Sequence, residues 1–87
     1  MNILFTDTGW KQYTEWQGHD KKIIKRINEL LKSIDRDGTM KGIGKPELLK
    51  YDKPGLYSRR IDDANCLVYE ISDNRIIVKS CKGHYED

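Results

Sequence analysis

Between residues 20 and 38 the sequence constrains itself most tightly. Ile23, Ile24, Ile27, Leu30, Leu31 and Ile34 recur at i, i+1, i+4, i+7, i+8 and i+11, which lines them up as one apolar stripe on a helix. Lys21, Lys22, Lys25, Arg26, Glu29 and Lys32 fall on the other side. Asp20 is a good N-cap and Asp37-Gly38 a stop signal, so a helix of about 16 residues is predicted. Such a helix needs an apolar surface to cover. With 87 residues the chain makes one domain and buries only about 60–65% of its unfolded surface, so each large apolar residue counts.

The rest of the chain supplies that surface. Ile3-Leu4-Phe5 reads as a first strand. Thr6 or Asp7 then caps a helix in which Trp10, Tyr13 and Trp16 recur every three residues on one side, and Gly18-His19 breaks it. Beyond residue 38 the pattern changes. Gly38, Gly42, Gly44 and Pro46 mark a loop, with further punctuation at Pro54-Gly55. "LYSRRIDDANCLVYEISDNRIIVKSCKGHY" then reads as three strands of period-two character, turning at Asp62-Asp63-Ala64-Asn65 and Ser72-Asp73-Asn74. A strand, two helices and a meander make an α+β fold, with both helices on one face of a small antiparallel sheet.

Alternation sorts the two faces of that sheet. Leu67, Tyr69 and Ile71 face the helices, as do Tyr57 and Ile61. Cys66, Val68 and Glu70 point away, with Ser58 and Arg60. An uncovered sheet face carrying Arg60 is a place to bind something.

The composition, 37% hydrophobic and 34% charged, suits a globular domain rather than a disordered chain. A net charge of +2 says little, but residues 45–60 hold five basic side chains (Lys45, Lys50, Lys53, Arg59, Arg60) against Glu47 and Asp52. That local excess beside aromatics fits either a phosphate-rich partner or a solvated face. The two cysteines, Cys66 and Cys81, have no paired ligand spacing, so neither a zinc site nor any cofactor is expected. No apolar run approaches the roughly 20 residues that span a bilayer, and the N-terminus lacks a signal-peptide pattern. A cytosolic protein with reduced cysteines is expected, without a membrane partner.

Several stretches resemble one family: "WKQYTEWQ" (10–17), "DKKIIKRINELLK" (20–32), "GKPELLKYDKPGLYSRRI" (44–61), "LVY" (67–69) and a terminal "HY" (84–85). Together they are similar to the YoeB toxins, the Txe/YoeB branch of the RelE/ParE superfamily of bacterial toxin–antitoxin systems. The resemblance runs collinearly over nearly all of residues 1–87. It implies the α+β layout just derived, as a single domain. It also implies an mRNA interferase that cuts mRNA in the ribosomal A site. The implied partners are a cognate YefM-like antitoxin, the ribosome and mRNA, a second copy in a homodimer, and operator DNA only through the antitoxin complex.

Metal-independent RNA cleavage needs a base for the 2′-hydroxyl, an acid for the leaving 5′-oxygen and cations for the phosphate. By the resemblance, Glu47 is the general base and His84 the general acid. Arg60 and Lys50 are the phosphate contacts, and Tyr85 shapes the site and stacks on a base. A carboxylate among lysines and arginines is held ionised, and an imidazole can donate a proton near neutrality. From the residues alone, Glu47 reads as a surface ion pair, His84 as a solvated terminal histidine and Tyr85 as a packing anchor; the resemblance reverses those readings. Arg59, on the opposite side of its strand, is a structural partner for a helix acid or a ribosome contact. Glu86 and Asp87 follow where the family ends at or near this tyrosine, and either weaken RNA binding or point into solvent.

One position departs from the family. The residue before "LVY", an arginine and a principal phosphate ligand in relatives, is Cys66 here. A lost charge-assisted hydrogen bond is worth roughly 1.5–3 kcal/mol, and a lost transition-state donor about 10²–10³ in rate. Impaired cleavage is expected. Cys66 is then an attenuating substitution that let a toxic protein be produced, or drift to a weak or dead enzyme; the third account is that Arg60 and Lys50 suffice. Cys81 is expected to be a packed thiol. Two other functions compete on the same fold, a ParE-like binder of gyrase and a non-catalytic binder of antitoxin or ribosome. The pair Glu47 and His84 argues against the first, and Cys66 favours the second.

Overall fold

A computed structural model describes residues 1–49 and 55–84 of the chain. Its elements are β1 (Asn2–Phe5), α1 (Asp7–Gln17), α2 (Lys21–Asp37), β2 (Glu47–Leu48), β3 (Tyr57–Arg60), β4 (Cys66–Ser72) and β5 (Arg75–Ser80). Lys50, Tyr85, Glu86 and Asp87 lie outside the described residues.

The long helix forms where its caps and stripe place it. The Asp20 carboxylate accepts the Lys22 and Ile23 N–H groups at 3.0 and 3.4 Å, and Gly38 closes the C-terminus with a positive φ of 109°. Ile23, Ile27, Leu30, Leu31 and Ile34 are all buried. They pack with Ile61, Leu67, Tyr69, Ile76 and Val78 of the sheet side into one core.

Thr6 caps α1, and its hydroxyl also lies 3.2 Å from the Val78 and Lys79 carbonyls, which ties the start of the helix to β5. Gly9 permits that approach, because a Cβ there would sit 2.5 Å from the Val78 carbonyl oxygen. The three aromatics of α1 separate in role. Tyr13 donates to Asn28 (2.8 Å) and Trp16 to the Cys81 carbonyl (2.9 Å), whereas Trp10 stays 53% exposed against Phe5 and Tyr13.

The sheet order is β1-β5-β4-β3-β2. From β5 to β2 every pairing is antiparallel, but β1 runs parallel to β5, so the sheet is mixed. A parallel pair needs a crossover, here the long return through both helices and the meander. The loop expected after residue 38 also contains β2, whose two residues are too few to show a period. Asp73 and Asn74 (φ 52° and 59°) make the two-residue turn between β4 and β5, in the left-handed conformation that Asp and Asn tolerate.

Alternation places the side chains as expected, with one correction. Tyr57 stacks on Tyr69 over the core at 5.7 Å, and Leu67 is fully buried. Val68, on the other face, is only 1% exposed, and Leu49 on the β2–β3 segment is 5% exposed. The second face is thus covered at Val68 and Leu49.

Arg59 is buried completely on the helix side. Its Nε donates to the Tyr69 hydroxyl at 3.0 Å and its Nη1 to Ser33 Oγ and the Ile43 carbonyl at 2.9 and 3.0 Å. Its Nη2 donates to the carbonyls of Gly38, Lys41 and, more weakly, Thr39 at 2.8, 2.7 and 3.3 Å. Every guanidinium N–H therefore has an acceptor. The charge faces the carbonyl end of α2, where the helix dipole favours a cation. Ser33 passes the contact to Asp37 at 2.9 Å, so the helix acid is reached through a hydroxyl.

Candidate active site on the open face of the sheet

Strand register brings the candidates together. Glu47 lies opposite Ser58 in the β2–β3 pair, and Arg60 opposite Cys66 in the β3–β4 pair. These rows are two residues apart along β3, roughly 6–7 Å, and both face away from the helices. Glu47, Ser58, Arg60 and Cys66 line one small depression of about 50 Å³ with Lys45. Among the described residues, none of Lys45, Glu47 and Arg60 is in an ion pair. All three are exposed.

The wall beneath Lys45 is tightly built. The Arg60 N–H donates to the Gly44 carbonyl at 2.6 Å, pinning the residues before β2 against β3. Gly44 has φ 88°, and a Cβ there would meet Leu30 Cδ2 at 2.6 Å and Arg59 Cβ at 3.1 Å. Lys45 follows at φ 50°, a left-handed conformation that costs a residue with a side chain about 1–2 kcal/mol. Packing holds that strain at the wall of the depression, which Lys45 lines.

His84 reaches the rim of this depression through its backbone. The Cys66 N–H donates to the Gly83 carbonyl at 2.9 Å, and the Gly83 N–H to Asn65 Oδ1 at 2.8 Å. Asn65 is itself held by Asp62, 3.0 Å away. His84 Nε2 then lies 2.6 Å from the Asp63 carbonyl. A carbonyl only accepts, so Nε2 carries a proton. Nδ1 faces Cys66 Sγ at 3.6 Å.

Of the residues expected at the site, Glu47, Arg60, Cys66 and His84 are thus gathered on one face. Lys50 and Tyr85 are outside the described residues. Arg59 is absent from this face, as its alternation required. The sequence reading gave no role to the backbone of Asp63 and Gly83 or to the Asn65 amide; "DDAN" marked only a turn, and "KG" carried no signal. Larger depressions lie elsewhere, one of about 360 Å³ beside Trp16, His19 and Lys82 and one of about 270 Å³ beside Met1, Ile3 and Leu31. An extended polyanion is met by exposed cations on a surface rather than by an enclosed cavity. Among the described residues, no three of His, Cys, Asp and Glu gather as metal ligands, and no helix is long and apolar enough to cross a membrane.

Two helices behind a five-stranded mixed sheet make the microbial-RNase-like α+β fold shared with the bacterial YoeB and RelE-like toxins. Within that class the assignment is specific. The chain belongs to the family described as YoeB-like toxin of bacterial type II toxin-antitoxin system, which matches residues 5–85. It is 47% identical to a toxin YoeB of Streptomyces coelicolor over 98% of this chain and 100% of that one. The structure of a YoeB dimer from Staphylococcus aureus matches with TM-score 0.92 at 53% identity, covering 98% of each chain. The toxin in a heterotetrameric YoeB-YefM toxin-antitoxin complex from the same organism matches with TM-score 0.91 at 53% identity, again over 98% of each chain.

Proposed function

We propose that this YoeB-family toxin is a ribosome-dependent mRNA interferase, weakened by Cys66. The observation that carries the reading is the gathering of Glu47, Arg60 and Lys45 around one depression with His84 tied to its rim. In this mechanism Glu47 takes the proton of the 2′-hydroxyl, and the freed oxygen attacks the adjacent phosphorus. The bond to the 5′-oxygen breaks and that oxygen takes a proton from His84. With Nε2–H committed to the Asp63 carbonyl, Nδ1 is the nitrogen that delivers it. Arg60 and Lys45 stabilise the charge on the phosphorane, with Lys50 as a further cation and Tyr85 stacking on a base. Cys66 stands where relatives place an arginine and offers no cation. Binding to the ribosome spreads over many basic residues and survives its loss. The work is cytosolic, and the partners are a YefM-like antitoxin, which also links the toxin to operator DNA, and a second copy of the toxin.

Cys66 also favours a second reading, a non-catalytic binder of antitoxin or ribosome. The two separate by mRNA cleavage on programmed ribosomes. Cys66→Arg is expected to cleave at least about tenfold faster than the unchanged protein, and His84→Ala to be inactive. If the unchanged protein and Cys66→Arg both leave mRNA intact while binding ribosomes or antitoxin, the enzyme reading fails.

A further inference from the structure

We propose that Cys66 and His84 form an activated thiol–imidazole pair, a modification site for soft electrophiles and in particular for hydroperoxides. The pair is set by the fold. Because Nε2–H is held by the Asp63 carbonyl at 2.6 Å, the other ring nitrogen, 3.6 Å from Cys66 Sγ, is the one that accepts the thiol proton. The Cys66 N–H bond to the Gly83 carbonyl keeps the two residues in register independently of their side chains.

The surrounding cations act in the same direction. Arg60 lies directly across from Cys66, and Lys45 lines the same depression; both favour a thiolate. Glu47, one row away, is the opposing carboxylate. Asp62 is engaged with the Ala64 N–H and the Asn65 amide, and Asp63 offers its carbonyl to the pair. Cys66 is half-buried and His84 exposed, so a small reagent can arrive. The other thiol is a built-in contrast. Cys81 is fully buried, and burial pushes it up to about 11.

The thiol proton passes to Nδ1, and the thiolate attacks the distal oxygen of the hydroperoxide. An S–O bond forms as the O–O bond breaks. Sulfur loses two electrons to become a sulfenic acid, and the peroxide is reduced to the alcohol (water, for hydrogen peroxide), which takes the proton from the imidazolium. The reactivity stands on the pair and the cations beside it, and does not depend on RNA cleavage. A consequence for RNA cleavage, through an oxidised sulfur lying beside Arg60, rests on the function proposed above.

The test reads the sulfur and not the activity. The folded full-length protein is treated with iodoacetamide from pH 6 to 9, and the modified cysteine is located by peptide mass. At pH 6.5 Cys66 is expected to react about tenfold faster than glutathione, with a rate–pH midpoint below the ordinary thiol value of about 8.5. Cys81 should stay unmodified. In His84→Gln, checked by circular dichroism and by continued protection of Cys81, the Cys66 rate should fall at least about threefold, toward that of glutathione. One equivalent of hydrogen peroxide followed by dimedone should tag Cys66. A midpoint at or above the ordinary value in the unchanged protein overturns the proposal without recourse to any variant. So does an unaltered rate in folded His84→Gln, or a lack of dimedone adduct. Fast labelling of Cys66 in the unchanged protein, with mRNA cleaved neither by it nor by Cys66→Arg, upholds the pair and removes only the ribonuclease reading.

Discussion

Arg59 and Arg60 are consecutive residues of one strand, and the pleat sends them to opposite sides of the sheet. Arg59 is fully buried, with six acceptors drawn from Tyr69, Ser33 and the carbonyls of residues 38–43. Arg60 is exposed and lines the depression with Glu47 and Cys66. The same side chain is therefore a structural cross-link in one place and a solvent-facing cation in the other, the one proposed to meet the phosphate. What differs is solvent. A buried guanidinium must have every N–H satisfied inside the protein, and it thereby orders the loop that supplies the acceptors. An exposed one is satisfied by water and can exchange that water for phosphate oxygens.

Removing Arg59 is the largest test of this contrast. Arg59→Ala removes one donor each from Ser33, Tyr69 and four loop carbonyls, although Ser33 keeps the Ile43 N–H, Thr39 the Tyr69 hydroxyl and Gly38 the Lys41 N–H, and a loss of about 3–5 kcal/mol is expected in urea unfolding. Arg59→Lys should recover only part of it, because an ammonium has three donors and no fork. A loss under about 1 kcal/mol would break the comparison from the buried side.

Arg60→Ala tests the other side. Its unfolding free energy should stay within about 0.5 kcal/mol of the parent's, while mRNA cleavage on ribosomes falls by about 10²–10³. An equal fall in stability and cleavage would mean that Arg60 also holds the fold.

The smallest effect sharpens the comparison at the edge of the Arg59 network. A bond from Arg36, then one from Ser33, holds the Asp37 carboxyl down at about 2. A depressed folded value means stability that is present above the ordinary carboxylate range and lost as pH falls through the folded value. The unchanged protein should therefore lose thermal stability between about pH 4 and pH 2 in part through this group, and Asp37→Asn should flatten that limb. Since Asp37 touches Arg59 only through Ser33, the change should be modest. An Asp37→Asn loss at pH 7 as large as that of Arg59→Ala would make the acid, not the carbonyls, the main partner of the guanidinium.

Much of this layout was legible in local pattern. The stripe from Ile23 to Ile34 and the Asp20 and Gly38 caps define α2, because a helix repeats its environment every turn. Period-two alternation sent Arg60 and Cys66 to one face and Arg59, Leu67 and Tyr69 to the other, for the same kind of reason in strands. The resemblance, rather than the alternation, singled out Glu47 and His84. Less legible was the direction of β1, since Ile3-Leu4-Phe5 has the same pattern whichever way its neighbour runs. Two-residue β2 was hidden in a glycine-rich loop, and the burial of Val68 on the second face left no local sign.

The sequence by itself determined both helices and four of the five strands, and which side the residues of the meander face, because those choices depend on neighbours a few residues away. Only the tertiary structure decided what the side chains meet. Arg59 finds its acceptors among backbone carbonyls, which every residue has and no sequence marks. Cys66 meets His84, 18 positions on, because the turn at Gly83 hydrogen-bonds to the turn at Asn65, and that encounter exists only once the sheet has closed.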